Sequence, residues 1–561
     1  MKTLCIPTGF CSYSGEALDK KTPLLRSMEA IDKEAVKVLH LLGNTAVKKV
    51  TTTVGPEQEY FLIDKEVYLK RPDLRYTGRT LFGARPSKGQ ELEDHYFGTI
   101  KPRVSAFMKE YDEELWKLGI FAKTKHNEVA PAQHEIAPIF TTTNIATDHN
   151  QLMMEIAKKV AKKHDLVCLL HEKPFEGVNG SGKHNNWSMS TDTGENLLEP
   201  GKTPANNTQF LVFLAAVIKA VDMYQDLLRI SVASAGNDHR LGANEAPPAI
   251  VSIFLGDELG GIVDSIESGT PFAGVGDLQM DIGTAVLPHF DKDTTDRNRT
   301  SPFAFTGNKF EFRMLGSASS ISGANIILNT AVADVLSDFA KQLAAIDESK
   351  RAEAITKLIK DTVTDHKRII FNGDNYSDEW VVEAASRGLL NLKTTVDALA
   401  TFIDPKNVKV FTKNGVFTES EIHSRYEILL EEYSKVINIE AITTIDLAKQ
   451  AILPAVLEYQ KMLVELIATK TACNLPTTVE TALATKISTL AEALYNNINN
   501  LEEIVAQAKT LTDSLETARY FLDDVIPAMT AVRTEADELE LTVASKYWPL
   551  PSYGEILYSV H

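Results

Sequence analysis

Hydrophobic residues are spaced differently in the two parts of the chain. Up to residue 350, glycine- and proline-bearing loops separate short strands from medium-length helices, a pattern typical of a mixed α and β domain. Beyond that point glycine becomes rare and apolar residues recur every three or four positions, which predicts helices packed against one another. We therefore predict a catalytic-type α+β domain over residues 1–350 and a helical region over residues 351–561.

Three segments carry the clearest helical spacing. Residues 144–164 repeat an apolar residue every fourth position, as expected of an amphipathic helix with one face on a core. Residues 208–230 are apolar at most positions, which predicts a largely buried helix. An apolar stripe over residues 487–515, at steps of three or four, predicts a helix seam packed against other helices.

Composition places the chain among soluble globular proteins. Its 561 residues are 44% hydrophobic and 24% charged, and they suffice for several domains and a large core. No apolar run approaches the ~20 residues needed to span a bilayer. Residues 1–15 carry one lysine and several polar residues and do not resemble a signal peptide. We therefore expect neither a membrane protein nor a secreted one.

Charge and cysteine content indicate which partners and which cell compartment to expect. Lysine and arginine number 58 against 76 acidic residues, so the net charge is −18. A surface this acidic repels phosphate backbones and argues against nucleic-acid binding as the main role, although metal ions and a few basic groups still permit ATP. The four cysteines are scattered without a C-x-x-C pair, which is typical of reduced thiols and predicts a cytoplasmic protein.

Two carboxylate pairs are candidate metal ligands. Glu57 and Glu59 lie two apart in a predicted strand, so both side chains point to one face. They repel each other unless a cation lies between them or one of them holds a proton. Glu128 and Glu135 flank a proline-bearing turn and could converge across a hairpin. Mg²⁺ and Mn²⁺ prefer carboxylate oxygen. The alternative for each pair is a solvated strand face.

A glycine-rich run, GVNGSGKH at residues 177–184, matches the phosphate-binding P-loop except at its last position. His184 replaces the hydroxyl that would bind magnesium. No buried strand precedes the run, and the residues after it alternate like a strand instead of beginning a helix. We therefore predict a turn that delivers a histidine into a strand, with backbone amides free to meet an anion or an amino acid.

Charged residues in three further segments are candidates for substrate contacts. Alternation in KFEFR, residues 309–313, puts the charged side chains on one face of a strand. The basic loop DRNRTS at 296–301 suits phosphate oxygens, and the loop at 238–248 carries Arg240 and Glu245. Taken singly, each could equally be a solvated surface cluster or an internal salt bridge.

Taken in order, these segments resemble the active-site strands of the glutamine synthetases. The motifs LEDHYFG (92–98), KHNNW (183–187) and DRNRTSPFAF (296–305) resemble the large type III class, as does the helical carboxyl terminus that closes with YWPLP (547–551). The resemblance covers essentially the whole chain. It implies a curved antiparallel sheet with flanking helices, and a ligase that joins ammonia to glutamate with ATP.

The resemblance also implies at least two divalent ions, Mg²⁺ or Mn²⁺, per site. Three carboxylates would hold the ion next to glutamate, namely those of Glu59, Glu128 and Glu135. The ion that bridges the ATP phosphates would be held by Glu57, His184 and Glu311.

Substrate contacts follow from the same resemblance. The amino group of glutamate would meet Asn179 and Gly180, and its carboxylates would meet Arg240 and Arg313. ATP would be bound by Ser188, Arg299 and Lys309. Glu245 matches the flap glutamate that closes the site and takes a proton from ammonium, while Arg299 and Arg313 stabilise charge during phosphoryl transfer.

The chain departs from the family pattern in two places. Glu57 occurs too early to leave room for the family's amino-terminal β-grasp domain, and the sequence has no Asp-Gly pair, so we expect a truncated or split synthetase. Residues 3–7 are then expected to form the first strand of the catalytic domain. No arginine lies between Arg299 and Arg313, so Arg297 or Lys309 is expected to replace a second phosphate-binding arginine.

Three functions remain open at this point. The first is the ammonia ligase, acting in the homo-oligomers, dodecameric in type III, that the resemblance implies. The second is a catalytically incomplete synthetase that binds nucleotide or substrate or assembles with other subunits. The third is a γ-glutamyl ligase that uses another amine.

Overall fold

The structure, a computed structural model, describes residues 4–242, 246–270, 272, 279–280, 290–291 and 300–560. Within these residues, helices dominate and one large sheet lies among them. The helical segments that surround the sheet are α1 (Lys21–Leu41), α2 (Lys65–Leu69), α3 (Pro72–Thr77), α4 (Pro102–Trp116), α5 (Thr143–Lys163), α6 (Thr208–Met223), α7 (Gln225–Ile230), α8 (Ala235–Asp238), α9 (Gly256–Ser268) and α10 (Ser322–Ala344).

The rest of the chain is helical, as its sequence pattern predicts. Its helices are α11 (Arg351–His366), α12 (Asp378–Ser386), α13 (Thr395–Leu399), α14 (Pro405–Lys413), α15 (Glu419–Leu447), α16 (Leu453–Ala472), α17 (Thr478–Ala508), α18 (Ser514–Tyr520), α19 (Ile526–Thr542) and α20 (Tyr553–Leu557). The long helix α15 begins at a capping box, in which the Thr418 hydroxyl accepts from the Glu421 amide while the Glu421 carboxylate accepts from the Thr418 amide.

The strands are β1 (Val50–Asp64), β2 (Ala122–Asn127), β3 (Gln133–Pro138), β4 (Thr141–Thr142), β5 (Leu166–Leu169), β6 (Gly182–Thr191), β7 (Ile253–Phe254), β8 (Gln279–Met280), β9 (Phe290–Asp291), β10 (Phe303–Phe305) and β11 (Phe310–Gly316). The main sheet has nine strands, in the order β2-β3-β1-β6-β11-β10-β7, with β4 and β5 also paired to β1. Strands β8 and β9 pair separately.

The sheet is largely antiparallel with helices on its flanks, as the resemblance implies, and a single parallel pairing at one edge makes it mixed. Strand β10 pairs with β7 in parallel, while the other pairings within the sheet are antiparallel. About 50 residues separate β7 from β10 in the chain, which is ample for the crossover that a parallel pair requires.

Most predicted helices are present, with two corrections. Residues 143–163 form α5, as predicted. The buried segment 208–230 is two helices, because Tyr224 leaves the helical conformation and its hydroxyl donates to Asp334 of α10. The apolar stripe after residue 487 follows α17, which packs against α16 and α19, but the helix ends at Ala508 before the last stripe positions.

The amino-terminal residues do not form the predicted first strand. Residues 4–10 have no regular secondary structure, and residue 3 lies outside the described part of the chain. The side chains of Leu4 and Ile6 are largely exposed, so no apolar burial holds this segment against the sheet.

One continuous cluster of buried apolar side chains extends from Leu24 in α1 to Leu550 near the carboxyl terminus. It includes residues on both sides of position 350, so the predicted boundary there stays a prediction. None of the helices in the described residues combines the length and the apolar character of a membrane-spanning segment.

A buried ion pair joins the two predicted regions. The Arg79 guanidinium, just after α3, donates to both carboxylate oxygens of Glu440 in α15, at 2.9 and 2.8 Å. Removing one member of such a pair leaves an uncompensated buried charge.

Glu440→Gln is therefore expected to lower the free energy of unfolding by about 3–5 kcal/mol. Thermal and denaturant unfolding measure the change. Glu538→Gln, which removes a carboxylate from the exposed Lys486–Glu538 pair, is the matched control and should stay close to the unsubstituted protein. Equal effects of the two substitutions would contradict a bridging role for Glu440.

Candidate active site

Strand β1 presents two carboxylates on one face of the sheet, as its alternation predicts. Glu57 lies opposite His184 of β6, and Glu59 lies opposite Glu135 of β3. Because directly opposed residues in an antiparallel pair share a face, the register brings charged groups from three strands together.

The first cluster consists of Glu57, His184 and Glu311. His184 Nδ1 lies 2.7 Å from Glu311 Oε1 and 3.2 Å from Glu57 Oε2. The side-chain Nδ2 of Asn186 donates to Glu57 Oε1 at 2.8 Å, and the Arg313 guanidinium donates to Glu311 Oε2 at 3.1 Å. Each carboxylate is thus oriented from two sides.

The pKa shifts of His184 and Glu311 show which charges this cluster favours. Burial alone lowers the pKa of His184, but the charge of Glu311 and the hydrogen bonds of both carboxylates outweigh it and hold that pKa well above its usual value. Burial alone raises the pKa of Glu311, but His184 and Arg313 together hold it below its usual range. The cluster therefore favours a positive charge among its carboxylates.

The second cluster consists of His126, Glu128 and Glu135, at the hairpin between β2 and β3. His126 lies opposite Glu135 in the register, and the Glu128 amide donates to the Gln133 carbonyl at 2.9 Å to close the turn. His126 Nδ1 is 3.5 Å from Glu128 Oε1, and its Nε2 is 3.3 Å from Glu135 Oε1. The two carboxylates converge across the hairpin, as the sequence predicts.

The second cluster has the same electrostatic character. The hydrogen bond to Glu135 is the main cause that raises the pKa of His126 to about 9. Burial raises the pKa of Glu135, and the nearby charges of Glu57 and Glu59 add to this shift. This cluster therefore favours a protonated imidazole between its carboxylates as well.

His126 is a residue that the sequence reasoning missed. We expected Glu59 beside Glu128 and Glu135, but the structure brings His126 into that group. Glu59 lies next to the group, and its carboxylate accepts the Gly182 amide at 2.7 Å. The sequence carries a local indication of this, because His126 and Glu128 are two residues apart at the end of β2 and can point to the same face.

Both clusters suit a divalent cation. Each combines two carboxylates with one imidazole, and within each the possible ligand atoms lie within 4.8 Å of one another. Oxygen-rich sets of this kind are the ligands that Mg²⁺ and Mn²⁺ prefer, and a bound cation would replace the proton that each imidazole carries.

The glycine-rich run forms a turn that leads into β6, and no helix follows it, so the structure agrees with the exclusion of a P-loop. Gln133 donates to the Gly180 carbonyl at 2.8 Å. Asn179 is buried and exchanges two hydrogen bonds with the Gln90 side chain, one from the Asn179 amide at 2.8 Å and one to its Oδ1 at 2.7 Å.

Two arginines lie behind and beside the clusters. Arg240 is buried, and its guanidinium packs against Gly182 and the carbonyls that follow Arg313, including that of Leu315 at 3.2 Å. Burial lowers the pKa of Arg240. Arg313 contacts the first cluster through Glu311. Of the two arginines predicted to bind carboxylates, Arg313 therefore borders this cluster, whereas Arg240 binds the backbone of the strand that carries Glu311.

Two of the predicted nucleotide-binding residues, Ser188 and Lys309, lie at the other end of β6. The Ser188 hydroxyl lies 2.9 Å from Asn196 Oδ1 and 2.8 Å from the Asn308 carbonyl. Lys309 precedes β11 and its ammonium group donates to the Thr306 carbonyl at 3.4 Å. Glu245, Arg297 and Arg299 lie outside the described residues.

The chain matches known protein families over most of its length. Three family models match: "Glutamine synthetase type III N terminal" at residues 1–27, "Glutamine synthetase, catalytic domain" at 35–251 and "Glutamine synthetase C-terminal domain" at 354–471. A glutamine synthetase from Butyrivibrio fibrisolvens is 52% identical over 564 residues, covering 100% of this chain and 80% of the relative. The chain belongs to the type III glutamine synthetases.

Other relatives of this type III glutamine synthetase are similar over the same length. The type-3 glutamine synthetase of Dictyostelium discoideum is 49% identical over 99% of this chain and 76% of its own length. A glutamine synthetase of Bacteroides fragilis is 45% identical over 99% of this chain and 78% of its own length. A solved structure described as "Apo GmaS without ligand" aligns with 74% of each chain at a TM-score of 0.42 and 16% identity, too loosely to support an inference.

Gly182 is required by the close approach of Arg240. A Cβ at Gly182 would lie 2.1 Å from Arg240 Nη2, in a site where the guanidinium is buried. Gly182→Ala is expected to lower the free energy of unfolding by about 1–3 kcal/mol through overpacking, as measured by denaturant unfolding.

The matched control is Gly323→Ala in α10, where the nearest atom would be 3.6 Å from the new Cβ. That substitution should be neutral or slightly stabilising because alanine favours helix. If both alanines had the same effect, the close contact between Gly182 and Arg240 would not matter.

Proposed function

We propose that this glutamine synthetase joins ammonia to L-glutamate with ATP, through a γ-glutamyl phosphate intermediate. The observation that carries the proposal is the convergence of Glu57, Glu59, Glu128, Glu135 and Glu311 on one face of the sheet. The curated relatives, similar over nearly the whole chain, are named for the same reaction.

Divalent metal, Mg²⁺ or Mn²⁺, fits the two clusters. Glu57, His184 and Glu311 would hold one ion, and Glu128 and Glu135, with His126 or Glu59, would hold the other. When bound, these ions supply positive charge that offsets the repulsion between ATP phosphates and the glutamate carboxylate.

The chain's own residues orient the substrates. Asn179 and the Gly180 backbone would hold the amino group of glutamate, and Arg240 and Arg313 would act on its carboxylates. Binding energy spent on these contacts aligns the γ-carboxylate for transfer.

Ser188 and Lys309, at the opposite end of β6, would hold ATP together with Arg299. Arg299 and Arg313 stabilise negative charge as the phosphoryl group moves. The two sets of residues therefore approach the clusters from different sides.

The bonds change in two steps. A γ-carboxylate oxygen takes the terminal phosphoryl group, and ADP leaves. Glu245 then takes a proton from ammonium, the ammonia nitrogen attacks the activated carbonyl carbon, and phosphate leaves as glutamine forms. Activation is needed because a free carboxylate is a poor acceptor for ammonia.

We infer further that the enzyme works as a homo-oligomer in the cytoplasm. The four cysteines are free, which suits a reducing compartment. Several large apolar side chains near the amino terminus are exposed, including Phe10 and Tyr13, as expected of a surface that another subunit covers.

The proposal predicts phosphate release from ATP that requires glutamate, divalent metal and ammonium together. Glutamine should form in equal amount to the phosphate. Phosphate release is measured by a coupled colorimetric assay and glutamine by chromatography. Glu245→Ala should lower turnover by a large factor while glutamate and ATP still bind. The control is Asp257→Ala, at an exposed position of α9.

Each other outcome assigns a different function. Metal and nucleotide binding without turnover would indicate a catalytically incomplete synthetase. Faster turnover with another amine in place of ammonium would indicate a different γ-glutamyl ligase. Near-normal turnover of the Glu245→Ala variant would remove the role assigned to Glu245.

A further inference from the structure

The last helix of the chain packs across the two loops that meet at Asn179. We call residues 553–558, which comprise α20 and Tyr558, the carboxyl-terminal clamp. The clamp is anchored by buried apolar side chains of its own, those of Ile556 and Leu557, which join a small core with Phe61 of β1 and Phe175. Its position is therefore fixed against the strand that carries Glu57 and Glu59.

The hydroxyl of Tyr553 has a full set of hydrogen bonds. The Thr80 hydroxyl donates to the Pro174 carbonyl at 2.9 Å, so its only proton is used, and Tyr553 must be the donor in the 2.6 Å contact between the two hydroxyls. Tyr553 in turn accepts from the Glu176 amide at 3.1 Å and from Arg533 at 2.9 Å. Its single donor and both of its lone pairs are occupied.

The ring of Tyr553 fixes the same loops by packing. It lies edge-on to Phe175 with ring centroids 5.8 Å apart. It also fills the space beside Gly83, where a Cβ would come within 2.2 Å of the ring. Tyr553 thus contacts the chain before the 84–99 loop and the middle of the 172–181 loop.

Tyr558 holds the 84–99 loop directly. Its hydroxyl donates to the Gly89 carbonyl at 2.8 Å, and the next residue is Gln90. Gln90 exchanges two hydrogen bonds with Asn179. The clamp therefore fixes Asn179 along two routes, through Glu176 on its own loop and through Gln90 on the neighbouring loop.

We propose that Tyr553 and Tyr558 are positioning residues for the glutamate pocket. They hold the 172–181 and 84–99 loops in the arrangement in which Asn179 and Gly180 meet the amino group of the substrate. This inference rests on the proposed function for the role of Asn179, but the contacts of the clamp do not depend on it.

The proposal predicts different effects on glutamate binding and on nucleotide binding. Ser188 and Lys309 are held by residues 196 and 306–308, on other loops. Loss of the clamp contacts should therefore weaken glutamate binding while leaving nucleotide binding nearly unchanged. A residue that only stabilises the fold would affect both substrates alike.

The test uses Tyr553→Phe and Tyr558→Phe in the full chain, because both variants keep the ring and lose only the hydroxyl. The control is Tyr520→Phe, in α18, which removes a hydroxyl that donates to a backbone carbonyl, that of Ile504, at 3.2 Å within the helical region. The first measurement is amide hydrogen exchange of residues 84–99 and 172–181. The second is the KM for glutamate and for ATP with kcat.

Faster exchange of residues 172–181, by roughly two- to tenfold, is expected for Tyr553→Phe, since the Glu176 amide loses its acceptor. Tyr558→Phe should raise exchange in residues 84–99 and at Asn179 by a similar factor. The KM for glutamate should rise by roughly two- to tenfold in both variants with little change in the KM for ATP. Tyr520→Phe should change none of these.

Two results would overturn the proposal. Exchange in both loops that matches the unsubstituted protein would show that the clamp does not hold them. Equal increases in the KM for glutamate and for ATP would show a general structural role. If the unsubstituted chain has no turnover, the proposed function fails while hydrogen exchange still decides whether the clamp orders the loops.

Discussion

Repulsion among carboxylates is the constraint on which this structure depends. Five glutamates share one face of the sheet, and Glu128, Glu135 and Glu311 are buried, where like charges repel most strongly. Such a face is stable only if positive charge lies among the carboxylates or some of them hold a proton. Two imidazoles, those of His184 and His126, and the guanidinium of Arg313 supply it in the structure. The same demand makes the face suited to divalent cations.

The back of the sheet holds this charged face in register. Alternation along β1 and β6 places Gln58 and Lys183 on the side opposite the glutamates, where both are buried. Asn150 of α5 accepts from the Lys183 ammonium at 2.9 Å and donates to Gln58 at 3.2 Å. A slip of one residue would break these bonds and move the ligands to the wrong face. The helical region then supports the loops at the edge of the site through Glu440, Arg533 and Tyr553.

The sequence alone predicts those parts of the site that depend on neighbouring residues. Strand alternation predicts the shared face of Glu57 and Glu59, and proline-flanked carboxylates predict the hairpin of Glu128 and Glu135. The residues after the glycine-rich run predict a strand that carries His184. Each inference needs only the period of a strand or the chemistry of a turn.

The remaining parts depend on contacts between distant segments, which periodicity does not encode. Tyr553 is more than 370 residues from Glu176, which it holds, and Gln90 is 89 residues from Asn179. The parallel pairing of β7 with β10 and the break at Tyr224 likewise arise from tertiary packing. His126 is the exception, because its spacing from Glu128 is visible, and only the fold shows that it lies between two carboxylates.

We propose that the register of the sheet creates two cation positions. Anomalous diffraction from crystals of the protein grown with Mn²⁺ tests it most directly. We expect one anomalous peak among Glu57, His184 and Glu311 and a second beside Glu128 and Glu135, with His126 turned away or acting as a ligand. Crystals that contain Mn²⁺ elsewhere but show no peak at either cluster would contradict it.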